Sequence, residues 1–572
     1  MSSPRLVRAV AAALLLTAAA AAQTPVVTFT GETMRLRSAT VAVGTTANWN
    51  LTLQMEDDNQ NAALGTSFRR WWHAQVGNLN PAGSTLRVTI TNAGYTDIIL
   101  PVWSLSTDGV TFGAYQRLPT GAVPTLLTST QHRFTVAVPT GVVAFRLAKY
   151  FPYSVTRKDA WLATLAGDPR VRSIVSLGNS QQGRPIHKIQ LTDPTRPDAG
   201  KRRVWIHAGI HPAETTSYFT VEGLVAWLRS GASEAEALLD GALVDIVPMA
   251  NPDGVFLGNY RTNANSSNLE NEWSAPYTSP QPEIAALRTA IEACMGTVAS
   301  PGGNPIRVLL NLHSSHGVAY PFHFQHVANP SWNPTSSNTG VLPVVNQLEG
   351  QWISAFAARS PFVDLGATQS SALLSRPFVE SMCHDRWTGQ PGWLTAPGLQ
   401  SPVMAITFEG TYGRGPDTVT WNTEADYRLC GEQLGQALFD HLGLQLGASV
   451  LPYGPSCLAT TLQATLTALA GGAHDVAVQV GNGAPNGLGV LAIGGAPAAQ
   501  PLAAPFPPCL LLNTAEGLVP FGLDAAGGMG FSFTLPASPG LGGWLQVFTY
   551  DAALGPYDSL DASNGLQIRN DY

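Results

Sequence analysis

The run Val204-Trp-Ile-His-Ala-Gly-Ile210 leads directly into His211-Pro-Ala-Glu214, and the stretch after it carries Val221, Leu224, Val225 and Leu228. The first piece reads as an apolar strand. The i, i+3, i+4, i+7 spacing of the last four residues makes a helical stripe, which Gly231 closes. Strand, short polar loop and helix form a βα unit, the repeating element of an α/β domain. The rhythm continues downstream, with apolar strands expected at 243–247, 308–312 and 403–408. A last helix places Cys430, Leu434, Leu438 and Leu442 on one face and stops at Gly443. Residues 154–446 are therefore expected to form the α/β domain.

The flanks differ. Residues 23–153 alternate short apolar runs, such as Leu86-Arg-Val-Thr-Ile-Thr and Arg133-Phe-Thr-Val-Ala-Val, with turn residues, which predicts an antiparallel β-sandwich. Residues 447–572 hold one basic residue, Arg569, and seven acids, and are rich in Gly, Ala, Pro and Leu. That shift marks a boundary near Gly447 and predicts a small C-terminal β-sandwich. Arg5 and Arg8 precede an apolar run that ends in Ala20-Ala21-Ala22, so residues 1–22 read as a cleaved signal peptide and the mature chain as secreted or periplasmic. Five cysteines lack C-x-x-C spacing. Cys457 and Cys509 are placed to pair, Cys383 and Cys430 are a second candidate pair, and Cys294 is left over.

The net charge of −7 with only 12% charged residues lacks the basic footprint that nucleic acids or anionic membranes require. No G-x-S-x-G elbow, P-loop or H-E-x-x-H helix occurs. The chemistry instead gathers at strand ends. His211 and Glu214 follow one strand, His313 ends the run Val308-Leu-Leu-Asn-Leu-His, and Glu409 ends Val403-Met-Ala-Ile-Thr-Phe-Glu. Asn251-Pro-Asp-Gly254 and Arg261 follow the strand at 243–247. Active sites of open α/β sheets lie beyond the carboxyl ends of the strands. Two imidazoles and a carboxylate with a fourth position left for water are a catalytic zinc set.

These strings resemble the carboxypeptidase A-like zinc metallocarboxypeptidases. Ile206-His-Ala-Gly-Ile-His-Pro-Ala-Glu-Thr is similar to the family's first zinc motif, and Asn251-Pro-Asp-Gly-Val, Gly258-Asn-Tyr-Arg, Asn268-Leu-Glu-Asn-Glu-Trp and Ile406-Thr-Phe-Glu follow in its order. Trp103-Ser-Leu-Ser-Thr-Asp-Gly and Tyr150-Phe-Pro-Tyr153 are closest to the cytosolic-carboxypeptidase branch, which carries a β-sandwich before the catalytic domain. The resemblance implies a central α/β/α domain on a mixed sheet and one zinc held by His211, Glu214 and His313. It makes Glu409 the general base and Arg261 the stabiliser of the oxyanion. His316, His323 and His326 read as polar loop residues, with His316 a candidate lining residue.

The segment 268–271 departs from the family pattern. An Asp that would orient a zinc-bound His is replaced by Asn268, and the Asn-Arg pair that grips the substrate carboxylate is replaced by Glu270 and Asn271. If both face the pocket, Glu270 repels that carboxylate. Arg386 is then a candidate replacement clamp and Tyr412 a candidate for the family's mobile tyrosine. The reading is a secreted zinc carboxypeptidase acting on a peptide or protein. A zinc deacylase or amidohydrolase for acylated amino acids or cell-wall peptides is the second reading, and a non-catalytic binding protein the third. The C-terminal region is expected to attach to a glycan or a cell surface.

Overall fold

The computed structural model describes residues 23–570 apart from 46, 316–321, 327–339, 364–368, 371–377, 396–399, 445–447, 470–472, 503–508, 537–540 and 552–559. The proposed signal segment, His316 and the expected boundary at Gly447 lie outside the described residues, as does the side chain of His326.

The centre is an eight-stranded mixed sheet in the order Val171–Asn179, Pro185–Leu191, Ala242–Val247, Arg202–Ala208, Ile306–Ser315, Met404–Thr411, His323–His326, Gln369–Ser370. The four middle strands are parallel to their neighbours, and antiparallel pairings begin on either side of them. Successive residues of these strands feed opposite faces. Val204, Ile206, Val308, Leu310, Ile406 and Phe408 pack with the helices Thr216–Leu228, Pro343–Arg359 and Glu424–His441. Trp205, Leu309 and Ala405 pack with Pro282–Met295 and Val379–Cys383 on the other side. Strands buried on both faces explain the continuous apolar runs in their sequences.

The helix of the Val221 stripe runs Thr216–Leu228, and the last helix runs Glu424–His441 with a Thr423–Asp426 capping box. The two cross with their backbones in contact: a Cβ at Gly223 would fall on the Arg428 carbonyl, and one at Gly431 on that of Thr220.

Residues 26–148 form two five-stranded sheets. Burial alternates strictly in Trp49–Gln54 and Ser84–Thr91. Contrary to a purely antiparallel arrangement, those two strands pair in parallel. Their core is continuous with that of the helices on one face of the central sheet. At the join, Tyr150 stacks on Tyr412 with ring centroids 3.7 Å apart. Arg117 also donates to the carbonyls of Leu100, Tyr412 and Asn422.

The C-terminal strands build a six-stranded, a three-stranded and a two-stranded sheet around a separate apolar core. Cys457 and Cys509 are disulfide-bonded there. Cys383 and Cys430 do not pair. Both are free and buried, on opposite faces of the central sheet. No helix among the described residues is long and apolar enough to cross a membrane.

Candidate metal centre

The strand Arg202–Ala208 ends at Gly209, whose φ of +73° turns the chain, and the Tyr218 ring fills the space where a Cβ would stand. Only glycine meets both demands. The turn is fixed by Glu214 N–H donating to the His211 carbonyl at 3.2 Å and by the Tyr218 hydroxyl donating to the Pro212 carbonyl at 2.9 Å. His211 and Glu214 are thereby presented together. His313 comes from the neighbouring strand Ile306–Ser315, and all three are buried.

The three side chains converge on one point. His211 Nδ1 lies 2.9 Å from Glu214 Oε1, and His313 Nδ1 lies 2.7 Å from Glu214 Oε2. The two Nδ1 atoms are 3.1 Å apart. Ser314 N–H steadies the carboxylate with a 3.0 Å bond to Oε2. Two imidazole nitrogens turned toward each other across a carboxylate suit a cation that each reaches with a lone pair, and two nitrogens with one carboxylate suit zinc. His211 Nε2 bonds Asn268 Oδ1 at 3.0 Å, whereas His313 Nε2 lies 3.2 Å from Glu270 Oε2, an ion-pair contact outside hydrogen-bond alignment. That arrangement leaves Nδ1 as the free lone pair on each ring, so the donor set fits the metal. Burial, reinforced by Arg261, holds the His211 imidazole below its ordinary pKa, toward the neutral form that coordinates.

Glu409 stands directly opposite His313 in the parallel register between Ile306–Ser315 and Met404–Thr411. Burial pushes its carboxyl up to about 8, with Glu214 adding to the effect and His313 and Arg261 opposing it. The positive charge of Arg261 bears on both His211 and Glu409, and its guanidinium lies 5.8 Å from the Phe68 ring centroid. Its loop is held from the N-terminal region. Asp58, 1% exposed, accepts the backbone N–H groups of Tyr260, Arg261 and Thr262 at 2.7–2.8 Å and the Thr262 hydroxyl at 3.1 Å. Asn59 adds bonds to Asn259, Asn263 and Ser266.

Four other expectations are corrected. Glu270 does not face an open pocket: it is 5% exposed, sits behind His313 and accepts from Asn311 Nδ2 at 3.0 Å. Asn271 is exposed, and its backbone N–H closes a turn onto the Asn268 carbonyl. Arg386 pairs with Glu292 and lies over the Tyr277 ring, while its neighbours Trp387 and Thr388 bond Gly296 and Val403 near the start of the strand that Glu409 ends. It is thus remote from the triad. Tyr412 is buried, stacked on the Tyr150 ring, with its hydroxyl donating to the Ala213 carbonyl at 3.3 Å. Asp58, Asn311, Thr407 and Glu380 were not singled out in the sequence. Thr407 bonds both Asn311 and Glu380, so these groups carry a buried polar chain away from Glu270.

The His-Glu-His triad at the strand ends of a mixed α/β sheet forms a candidate metal centre. Residues 159–360 match the family described as zinc carboxypeptidase. The matched stretch spans the triad, Arg261 and Glu270 and ends before Glu409. Mouse cytosolic carboxypeptidase 6 is 32% identical over 152 residues, 26% of this chain and 28% of that protein. Mouse cytosolic carboxypeptidase 2 is 31% identical over 120 residues, 20% of this chain and 14% of that protein. The chain therefore spans under a third of the length of these relatives. In fold it is similar to a metallo-carboxypeptidase from Burkholderia cenocepacia, with a TM-score of 0.57 at 21% identity over 73% of this chain and 99% of that one. It is also similar to a Pseudomonas aeruginosa metallo-carboxypeptidase, with a TM-score of 0.52 at 19% identity over 73% of this chain and 99% of that one.

Proposed function

We propose that the protein is a zinc-dependent carboxypeptidase that hydrolyses peptide bonds at or near C-termini and is exported through residues 1–22. The observation that carries this reading is the convergence of His211 Nδ1, His313 Nδ1 and the Glu214 carboxylate beside Glu409. His211, Glu214 and His313 hold the metal. Bound zinc acidifies water and polarises a carbonyl. Glu409 takes the proton from the attacking water and returns it to the leaving amine. Arg261 presents a permanent cation to the charge that develops on the carbonyl oxygen. Asp58 keeps that cation in place through the backbone.

One observation favours the deacylase reading as a runner-up. The segment 270–271 offers an inward carboxylate and a neutral amide where a cationic grip on a terminal carboxylate would stand. The experiment is zinc analysis of the purified mature chain together with a peptide-library digest read by mass spectrometry. Stepwise loss of C-terminal residues supports the proposal. Cleavage of N-acyl amino acids without peptide trimming supports the runner-up.

A further inference from the structure

The two metal-facing histidines are backed unequally. His211 Nε2 is hydrogen-bonded to a neutral amide, Asn268 Oδ1, at 3.0 Å, whereas His313 Nε2 faces a carboxylate, Glu270 Oε2, in an ion-pair contact of 3.2 Å in which neither atom has a hydrogen-bond partner. The amide is oriented: Glu270 N–H donates to the same Asn268 Oδ1 at 3.2 Å, which fixes that atom as the oxygen. The carboxylate is oriented too. Asn311 lies two residues before His313 on the same strand, hence on the same face, and its Nδ2 donates to Glu270 Oε1 at 3.0 Å. Glu270 is 5% exposed and Asn311 fully buried. An anion placed there, inside the fold and out of reach of water, costs free energy unless it acts on a nearby positive charge.

We propose that Glu270 is a positioning residue for the metal, supplying through His313 the anionic support that Asn268 does not give His211. This rests on the zinc reading above. The charge count agrees with it: a divalent cation with two neutral imidazoles is balanced by the carboxylates of Glu214 and Glu270. A carboxylate on the outer nitrogen of a metal-bound imidazole strengthens the inner nitrogen as a donor and fixes the ring, and loss of such a partner typically weakens metal binding by about 10–100-fold. It follows that segment 268–271 has given up contact with substrate at Glu270 in favour of contact with the metal ligand.

The test is zinc affinity of the full mature chain, measured by competition with a chromophoric chelator, with folding of each metal-free variant checked by circular dichroism. Glu270→Gln keeps the shape and removes the charge, and should weaken zinc by about 10–100-fold. Asn268→Asp in that background should recover at least part of the loss by moving the charge behind His211. If Glu270→Gln does not fold, Asn311→Ser frees the carboxylate without discharging it and should weaken zinc by a smaller factor. Affinity unchanged in Glu270→Gln, or in Asn311→Ser where that is the variant used, overturns the proposal, as does a loss that Asn268→Asp fails to reduce. A native chain that binds no zinc overturns the functional reading as well, so the two failures are distinct.

Discussion

Asp58 and Arg261 are 203 positions apart in the chain, yet the Asp58 carboxylate holds the Arg261 backbone N–H at 2.8 Å. The neighbouring N–H groups of residues 260 and 262 are bound by the same carboxylate. The N-terminal β region therefore braces the loop that carries Arg261. Asp58→Ala leaves four donors, three backbone N–H groups and the Thr262 hydroxyl, without their acceptor, at about 1–3 kcal/mol for each that stays buried. We expect a clear drop in melting temperature and a fall in kcat/KM of tenfold or more, roughly what an ångström of misplacement does. Zinc content should stay at one per chain. Calorimetry, metal analysis and kinetics on one preparation check this, and unaltered kcat/KM would separate Asp58 from the site.

Glu409→Gln preserves volume and removes the base. Turnover should fall by roughly 10²–10⁴ with zinc still bound. A variant that keeps native turnover on any cleaved peptide places the base elsewhere.

Dialysis against a chelator should abolish turnover, and zinc should restore it. The double variant His211→Ala, His313→Ala should not regain activity or hold stoichiometric zinc. Zinc retained in the double variant at native stoichiometry would refute the triad.

Glu380 provides a pH test. Burial, reinforced by Glu270, pushes its carboxyl up to about 8 from an ordinary 4.5. The folded state thus holds this proton more tightly than the unfolded chain, and its stabilising effect is complete below about 4.5 and lost as pH rises to about 8. Glu380→Gln mimics the protonated form. The melting temperature of the native chain should therefore fall relative to that of the variant between pH 5 and pH 8 and run parallel to it above. A constant difference across that range would contradict the assignment.

Among the described residues, segment 268–271 gives a substrate carboxylate no cationic partner, so free-acid peptides should be only weakly preferred over matched amides. Asn271 is exposed, and Asn271→Arg should add a charged hydrogen bond worth about 1.5–3 kcal/mol, or roughly 10–100-fold in that preference. Arg386→Ala should leave it unchanged, because Arg386 is engaged with Glu292. The readout is kcat/KM on acid and amide pairs. A strong native preference, abolished in Arg386→Ala, would reverse this placement.

The sequence made plain what depends on periodicity and on strand ends. The runs at 204–208, 308–312 and 404–408 are strands buried on both faces, and that burial is visible as near-continuous apolarity. The His211, Glu214 and His313 set was legible because each member caps such a run. Where a side chain points afterwards was not. Glu270 turns inward because Asn311 and His313 receive it, a tertiary fact with no local signature. Asp58 sits in a turn of an otherwise unremarkable loop. Alternation showed that Trp49–Gln54 has one buried face but not that its neighbour runs parallel. Cys383 and Cys430 looked pairable only because spacing does not record which side of a sheet a residue occupies.

The glycines at the crossing of Thr216–Leu228 and Glu424–His441 bear on how the chain can be divided. The helix that leaves the metal loop leans, backbone on backbone, against one that begins 64 residues after the family match ends. The strand bearing Glu409 also lies beyond that match. A fragment cut at residue 360 would expose a seam shaped for a partner it no longer has, and a methyl group at Gly223 or Gly431 would wedge the same seam open from within. On the C-terminal side, an excised fragment is limited by that seam rather than by the end of the family match, and must reach at least residue 441.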